Sequence, residues 1–497
     1  MKSSESVETA RNGRFWITLS IPVFLVVAIP ALALSLWDVD LILDTVIEFL
    51  PVMMFVTLAL FLFTGFPVAF VLGGLALTYG MIGYALGVFS FIEFFNFVPR
   101  IWGQAAENLV LVAVPTFVFM GVMMERSGIA EDLLYATQVL LRRIPGALAL
   151  AVTVMGTILA AMTGIIGASV TMMTALALPT MLRQRYSHAL ATGCICASGT
   201  LGILIPPSIM LIIMADLLSV SVGTLFMAAL GPGLFLATLY LIYIATLAAF
   251  NPKVAPPLPH ELLYVPAKDM PPLILKSFLP PAFLLFMVKG SILFGWATPS
   301  EAGAVGAFGA TLLAWVNRRL NWEMLRGVNY SSALTVSMIF FIVMSATCFA
   351  YVFRSLGGDD VVSHLILSAG FDSWGLLFLI LAIVFVLGFF LDWIEITLII
   401  LPIFAPLVAG FDFGDHVPKD GIIFWFTVLV AVNLQTSFLT PPFGFALFYM
   451  KGIAPEEVHI TSIYRGIVPF VTLQLVAMVS VLLFPQLALW LPGVVFD

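Results

Sequence analysis

Two polar stretches, each with a proline pair, interrupt the apolar sequence, and their residue types suit an ion site. The first is SGTLGILIPPS at 198–208 and the second is LQTSFLTPPFG at 434–444. A proline inside a helix removes a hydrogen-bond donor and clashes with an earlier carbonyl, so two together should unwind about one turn. The freed carbonyls and the adjacent hydroxyls are hard oxygen ligands for an alkali cation. The broken helix ends carry partial charges that can hold an anion beside it.

The candidate ligands in these stretches are small, hydroxyl-bearing or amide residues beside each break. In the first stretch they are Ser198, Gly199, Thr200, Gly202, Pro206, Pro207 and Ser208, and in the second they are Gln435, Thr436, Ser437, Thr440, Pro441 and Pro442. The alternative is a proline-kinked packing helix whose hydroxyls bond to their own backbone. Because two such breaks occur at related positions, the pair favours an ion site over simple packing.

Two further stretches, AAMTGIIGASV at 160–170 and FFLDWIEIT at 389–397, place small and acidic residues near the middle of long apolar segments. An ionisable residue inside a membrane is expensive and is a functional candidate by default. Small residues also serve plain helix packing, and carboxylates can pair with backbone donors, so both alternatives stay open. The candidates are Thr163, Gly164, Gly167, Ser169, Asp392, Glu395 and Thr397.

The composition indicates that lipid is the solvent of this chain. Its 497 residues are 62% hydrophobic and only 9% charged, against about 25% charged in soluble domains, and the mean hydropathy is +1.14. Runs such as 15–37 and 222–248 are long enough to cross a membrane as helices, which takes about 20 residues. They are too long and too uniform for barrel strands. The sequence therefore predicts an all-α polytopic membrane protein.

The remaining composition argues against several function classes. No basic patch with interleaved aromatic residues is present, and the formal net charge is −7, so we expect no nucleic-acid partner. Cys194, Cys196 and Cys348 lie in apolar runs, which indicates packing residues rather than disulfide or zinc ligands. HExxH and GxSxG motifs are absent, and the five histidines lie toward loops or segment ends. We therefore predict no enzyme activity and no covalent cofactor.

The placement of basic residues predicts how the chain crosses the membrane. The apolar segments 145–182 and 373–411 are long for one span and carry small or polar residues near their middles, the pattern of re-entrant hairpins. If both return to their side of entry, most of the 20 basic residues share the side of the N-terminus, and only Arg100, Lys289, Arg354 and Lys419 lie opposite. The positive-inside rule then predicts a cytoplasmic N-terminus and a periplasmic C-terminus in a bacterial inner membrane.

The two halves of the chain, on either side of the Pro-rich stretch 251–272, resemble each other. Pro206 and Pro441 are 235 positions apart, and FMGV at 119–122 is followed at a similar separation by FAYV at 349–352. Because the two hairpins open to opposite faces in this topology, the repeats are inverted. Inverted repeats are typical of secondary transporters, whose binding site lies near the middle of the membrane.

The predicted layout has five parts. An extra N-terminal helix and the first scaffold helix occupy 1–62, the first repeat 63–250, a cytoplasmic connector 251–272, the second repeat 273–465 and a C-terminal helix 466–497. Within the first repeat we place the hairpin at about 145–182 and the broken helix at about 188–216. In the second repeat they lie at about 373–411 and 421–450.

These motifs resemble the large membrane subunit (M, or DctM-like) of tripartite ATP-independent periplasmic (TRAP) transporters. Within that family they resemble the longer branch. The resemblance runs from TGFPVAF at 64–70 to the final helix. Most of it is carried by the stretches 177–212, TPSEAGAVGA at 298–307 and NLQTSFLTPPFGFALFYMKGIAP at 433–455.

The resemblance implies an elevator-type importer that couples the uptake of an organic anion to sodium. It also implies two partners, a periplasmic substrate-binding (P) subunit and a small four-helix membrane (Q) subunit. One sodium ion would lie near Ser198, Gly199 and Thr200, facing the first hairpin tip. Another would lie near Thr436, Ser437 and Thr440, facing Asp392, Glu395 and Thr397. A stand-alone sodium/carboxylate symporter without a binding protein is the main alternative, and a channel is another.

Overall fold

The computed structural model describes residues 39–496 except 63, 65, 165, 258–264, 267, 390 and 442–443. Its regular elements in this part of the chain are all helices, and no β-strand occurs among the described residues. This confirms the all-α prediction. The apolar run 15–37, predicted to be the first helix, lies outside the described residues.

The first compact unit comprises residues up to 107 together with 339–372. Its helices are α1 (Val39–Leu62), α2 (Val68–Ala85), the short α3 (Phe97–Ile101) flanked by a 3₁₀ turn at Phe91–Asn96 and a π turn at Trp102–Ala106, and α14 (Gly358–Ala369). Its core is aromatic, because the Phe55 ring packs edge-on against Phe349 and Phe353 at centroid distances of 5.4 and 4.9 Å.

The second unit comprises residues 108–338 and 373–497 and contains every candidate site residue. Before the long connection its helices are α4 (Ala113–Arg126), α5 (Ile129–Leu141), α6 (Ala147–Thr163), α7 (Ile166–Arg183), α8 (His188–Thr200), α9 (Ile209–Leu217) and α10 (Val222–Phe250). After it come α11 (Met270–Leu293), α12 (Pro299–Val316), α13 (Trp322–Ser355, which continues into the first unit), α15 (Ser373–Leu387), α16 (Trp393–Ala409), α17 (Ile422–Leu439), α18 (Phe445–Ile453), α19 (Ile460–Leu483) and α20 (Gln486–Phe496).

Eight of the described helices are long and apolar enough to cross a membrane. They are α1, α2, α7, α10, α11, α13, α17 and α19. In α17 the spanning segment is 89% buried within the protein, whereas in α11 it is only 22% buried. Since a helix that is apolar all round and buried belongs to the interior, α17 lies at the centre of the second unit and α11 at its surface.

Close glycine contacts hold the central helices together. At the crossing of α8 and α19, a side chain on Gly193 would collide with the Gly466 carbonyl, and one on Gly466 would collide with the Ala189 carbonyl. Small residues let the backbones of two helices approach closely, and this packing drives helix association where lipid offers no hydrophobic driving force.

The helix bounds follow the predicted segments at the candidate site and depart from them elsewhere. The helices α6 and α7 occupy the predicted hairpin, and α15 and α16 the second one. The predicted C-terminal segment differs, since α19 begins at 460 and ends at 483, and a separate helix α20 follows. The helix α14 and the short helical turns at 91–106 were not predicted as apolar segments.

Candidate functional site

The first broken helix consists of α8, a 3₁₀ turn at Leu201–Ile203 and α9. Ser208 begins α9, since its hydroxyl accepts from the Leu211 N–H at 3.5 Å and donates to the Ile203 carbonyl at 2.9 Å. The peptide bond between Pro206 and Pro207 is cis. Ser198, Thr200 and Ser208 are fully buried. The proline pair therefore separates two helical segments, as its sequence predicts.

The second broken helix consists of α17 and α18, with Thr440 in an extended conformation after Leu439. Gly444 begins α18 at φ +40°, a conformation that side-chain-bearing residues rarely adopt. Gln435, Thr436 and Ser437 are fully buried, whereas Pro442 lies outside the described residues.

Each hairpin packs on the first half of its own broken helix through a glycine. In the first repeat, a methyl group on Gly156 of α6 would lie 2.5 Å from Ser198 Cβ. In the second, a methyl group on Gly388, next to the end of α15, would overlap the Ser437 hydroxyl. The same two kinds of element meet in the same way in both repeats.

Each hairpin also packs on the second half of the other repeat's broken helix. The first hairpin contacts α18 through α7, and the second contacts α9 through α16. At the first tip, Gly164 has φ +61°, and a methyl group there would lie 3.2 Å from the Ile209 nitrogen at the start of α9. Each hairpin therefore contacts both broken helices, and the tip of the first hairpin also touches the second half of its own broken helix.

The two broken helices meet at equivalent positions. The Gln435 side-chain amide donates a hydrogen bond to the Thr200 hydroxyl at 3.3 Å. Thr200 lies six residues before Pro206, and Gln435 lies six residues before Pro441. The contact therefore joins two residues that hold matching positions relative to the two proline pairs.

The hydroxyls beside the breaks donate to carbonyls of their own helices. Ser198 donates to Cys194 at 2.6 Å, Thr200 to Ala197 at 2.9 Å, Thr436 to Val432 at 2.8 Å, Ser437 to Leu434 at 2.8 Å and Thr440 to Thr436 at 2.7 Å. This is the local bonding that the packing alternative describes. A hydroxyl that donates its only hydrogen still offers acceptor lone pairs, so the same geometry leaves these oxygens able to bind a cation.

Two buried polar atoms at the site lack a hydrogen-bond partner. They are the side-chain carbonyl oxygen of Gln435 (Oε1) and the hydroxyl of Thr397. Gln435 is 0% exposed and Thr397 only 1%. An unpaired buried polar atom costs about 1–3 kcal/mol, and proteins rarely retain one without a function or an unseen partner. A bound cation would supply that partner for both oxygens.

The two candidate carboxylates form a reciprocal cap at the start of α16. The Asp392 carboxylate accepts from the Trp393 N–H at 2.8 Å, and the Glu395 carboxylate accepts from the Asp392 N–H at 3.0 Å. Glu395 is 8% exposed. Both residues therefore stabilise the second tip.

Four helices begin at the tips and breaks. They are α7 at the first tip, α9 after the first break, α16 at the second tip and α18 after the second break. The N-terminus of a helix carries roughly half a positive charge and is a natural site for an anion. The first tip abuts the start of α9, so two of these ends lie together, and α7 contacts α18 while α9 contacts α16.

The remaining predicted residues have various positions. Gly167 follows the first tip and lies against Tyr449 of α18, and Ser169 is buried in α7. Thr163 ends α6. Gly202 lies within the 3₁₀ turn, and Pro441 follows Thr440. Sequence reasoning missed Gly156, Gly388 and Tyr449, because their contacts are with residues distant in sequence.

The donor set fits an alkali cation rather than a transition metal. Among the described residues no group of three or more His, Cys, Asp or Glu side chains is placed to hold a metal ion. Hydroxyl, amide and carboxylate oxygens are hard ligands. The three cysteines are free and buried.

Comparison with known families decides the class of the protein. Residues 55–487 match the model of the family described as "Tripartite ATP-independent periplasmic transporter, DctM component". The chain belongs to this DctM family. It is therefore the large permease component of a tripartite transporter and not an enzyme, and the resemblance noted in its sequence is confirmed.

Individual relatives agree with the family assignment. The chain is similar to the C4-dicarboxylate TRAP transporter large permease protein DctM of Pseudomonas aeruginosa, with 29% identity over 78% of this chain and 88% of that protein. It is also similar to the ectoine/5-hydroxyectoine TRAP transporter large permease protein UehC of Ruegeria pomeroyi, with 28% identity over 89% of this chain and 99% of that protein. Both matches cover most of the DctM-family region, so they support the family without fixing a substrate.

A solved structure supports the fold. The crystal structure of the Alcanivorax borkumensis YdaH transporter covers 81% of this chain and 88% of its own, with a TM-score of 0.54 and 15% identity. With eight apolar helices long enough to span a membrane, the DctM-family chain is a polytopic protein of the bacterial inner membrane.

Proposed function

We propose that this permease imports a small organic acid together with sodium ions, and that the acid and the ions bind between the two hairpin tips and the two helix breaks. The observation that carries the proposal is the hydrogen bond from the Gln435 side-chain nitrogen to Thr200, beside which the side-chain oxygen of Gln435 is buried and unpaired. It supports ion binding where the two broken helices meet.

The cations would be held by oxygen atoms from both repeats. Ser198, Gly199 and Thr200 would hold one sodium ion, and Thr436, Ser437 and Thr440 another, with Asp392, Glu395 and Thr397 close to the second. Hydroxyls that already donate to their own helices present lone pairs to an ion at no cost in rearrangement. The carboxylates supply the negative charge that a desolvated cation requires.

The acid would bind near the N-termini of α7, α9, α16 and α18. Their partial positive charges and the bound sodium ions would offset the charge of the substrate carboxylate. At −100 mV each net positive charge that moves inward gains about 2.3 kcal/mol. Import of a monoanion with two sodium ions would therefore be electrogenic and driven by the membrane potential.

Two partners and an elevator movement complete the proposal. A periplasmic binding protein would deliver the acid, a small four-helix subunit would brace the scaffold, and the segment carrying the site would move across the membrane. The predicted orientation places the N-terminus in the cytoplasm and the C-terminus in the periplasm. Fusion of alkaline phosphatase, which is active only in the periplasm, to the C-terminus tests the orientation; an inactive fusion would contradict it.

Reconstitution into proteoliposomes tests the proposed transport. With the small subunit and the binding protein present, an inward sodium gradient should drive uptake of an organic acid, and removal of sodium should abolish it. Uptake that needs no sodium would contradict the coupling. Uptake that proceeds equally well without the binding protein would favour the stand-alone symporter instead.

A further inference from the structure

We propose that Tyr449 of α18 contacts the transported acid directly and determines which acids the site accepts. This inference rests on the proposed function and adds to it a residue that bounds the substrate. Three observations support it: the exposure of the Tyr449 side chain, its contact with the first hairpin tip and its proximity to the carboxylates of the second tip.

One face of α18 is fixed by packing, and Tyr449 lies on another. Ala446, Leu447 and Met450 are buried, and the Met450 sulfur lies 3.4 Å from the Thr174 hydroxyl of α7. The Tyr449 side chain is 42% exposed in the same helix. The helix is therefore held by its neighbours in a position that leaves this tyrosine facing open space.

The Tyr449 ring lies against the first hairpin tip. A methyl group on Gly167 would lie 2.8 Å from the ring carbon that bears the hydroxyl. Real side chains do not approach so closely, so glycine at this position makes room for the ring. The aromatic ring thereby forms a wall beside the first tip.

The same side chain lies near the second tip. The carboxylates of Asp392 and Glu395 are close enough to act electrostatically on the Tyr449 phenol. No described residue forms a hydrogen bond with its hydroxyl. A phenol is both a donor and an acceptor, so this unengaged hydroxyl is available to a ligand.

These contacts define the chemistry of recognition. The hydroxyl would donate to an oxygen of the transported carboxylic acid, while the ring limits how bulky the part of the acid next to Gly167 can be. The carboxylates of the second tip cannot donate when ionised, whereas the Tyr449 hydroxyl beside the first tip can.

Uptake competition by a panel of acids tests the proposal. The panel would contain lactate, succinate and longer or branched mono- and dicarboxylates, measured with the complete transporter in proteoliposomes. Tyr449→Phe removes only the hydroxyl, and a hydrogen bond to a charged group contributes enough for a loss of affinity of about tenfold. Tyr449→Ala removes the wall and should shift the preference toward bulkier acids.

The matched control is Phe448→Ala on the same helix. Phe448 is 56% exposed and points about 100° away around the helix, so its removal should leave the order of preference unchanged. An unchanged affinity in Tyr449→Phe together with an unchanged preference in Tyr449→Ala would overturn the proposal. Sodium-independent uptake by the unaltered transporter would contradict the proposed coupling but would leave this comparison of acids intact.

Thiol labelling gives a second readout that does not depend on transport. The native cysteines are buried, so a cysteine introduced by Tyr449→Cys should dominate the reaction with a membrane-impermeant thiol reagent. A saturating concentration of the best competing acid should slow its labelling severalfold, whereas labelling of Phe448→Cys should not change. Equal labelling rates with and without the acid at Tyr449→Cys would refute direct contact.

Discussion

Some polar atoms at the site have hydrogen-bond partners, and others are buried without one. The hydroxyls of Thr200 and Thr436 are saturated as donors by their own helices. The Thr397 hydroxyl and the Gln435 carbonyl oxygen have no partner although both are buried. A buried polar atom without a partner destabilises the folded protein. Ion binding at these two atoms should therefore have the largest effect on stability.

The unpaired Thr397 hydroxyl gives a prediction with a definite sign. Thr397→Val keeps the shape and removes the unsatisfied hydroxyl, so in sodium-free detergent solution the free energy of unfolding should rise by about 1 kcal/mol. The stabilisation that sodium confers on the protein should fall at the same time. Thermal unfolding measured with and without sodium checks both effects.

Thr427→Val is the matched control for this experiment. The Thr427 hydroxyl is also in an apolar helix but donates to the Ile423 carbonyl at 2.6 Å. Its loss should lower stability and leave the sodium effect intact. If Thr397→Val retained the full sodium effect, Thr397 would have no part in ion binding.

Substitutions of Asp392 separate the effect of its negative charge from that of its helix cap. Asp392→Asn keeps an oxygen that accepts from the Trp393 N–H, and asparagine is as good an N-cap as aspartate. Expression and thermal stability should stay close to those of the unaltered protein, while sodium-driven uptake should fall at least about tenfold. Normal uptake would reduce Asp392 to a structural cap. Asp392→Ala should lower both uptake and stability.

The sequence identifies the candidate residues but not their pairing. Thr200 and Gln435 stand out because they flank the proline pairs, and their common distance of six residues from those pairs is visible in the sequence. That they hydrogen-bond to each other depends on how two helices cross. Tyr449 escapes sequence reasoning because an aromatic residue in an apolar helix usually belongs to the core.

At the level of elements, two glycine contacts fix each hairpin on its broken helix. Gly156 lies against Ser198, and Gly388 lies against Ser437. The serines belong to the candidate ion sites, so the close approach of backbone also sets where their hydroxyls lie. If a hairpin cannot pack closely on its broken helix, both the stability of the protein and binding at the candidate site should decrease.

Gly388→Ala should therefore destabilise the protein. The added methyl group overlaps the Ser437 side chain, and overpacking of this kind costs about 1–3 kcal/mol. Gly452→Ala is the control, because a methyl group there meets nothing within 4 Å and alanine favours a helix by up to about 1 kcal/mol. Thermal unfolding in detergent should rank Gly388→Ala below Gly452→Ala; equal stability would contradict this packing.

The sequence predicts those helices that lie in long apolar segments or are interrupted by proline pairs. The segments predicted as hairpins contain α6 with α7 and α15 with α16, and the turns between them contain the predicted residues Gly164 and Asp392. The short helices at 91–106 were not predicted, because their aromatic sequence lacks the length of a membrane span. The division at 484–485 within the last apolar segment carries only one proline and was also missed.

At the scale of the molecule, the central feature is that each hairpin contacts both broken helices. Each hairpin contacts the first half of its own broken helix and the second half of the other. If these contacts build the proposed site, it draws on both halves of the chain, and we expect that neither half binds alone. The inversion of the repeats relative to the membrane and the boundaries at 251–272 stay predictions.

The sodium dependence of uptake for Thr200→Val, Gln435→Leu and the double variant tests the shared site most directly. Each single change should raise the half-saturating sodium concentration about tenfold. The double variant should be little worse than either, because residues in one network are not additive. A sodium titration unchanged by both single substitutions would contradict the claim that the two helix breaks act together in binding sodium.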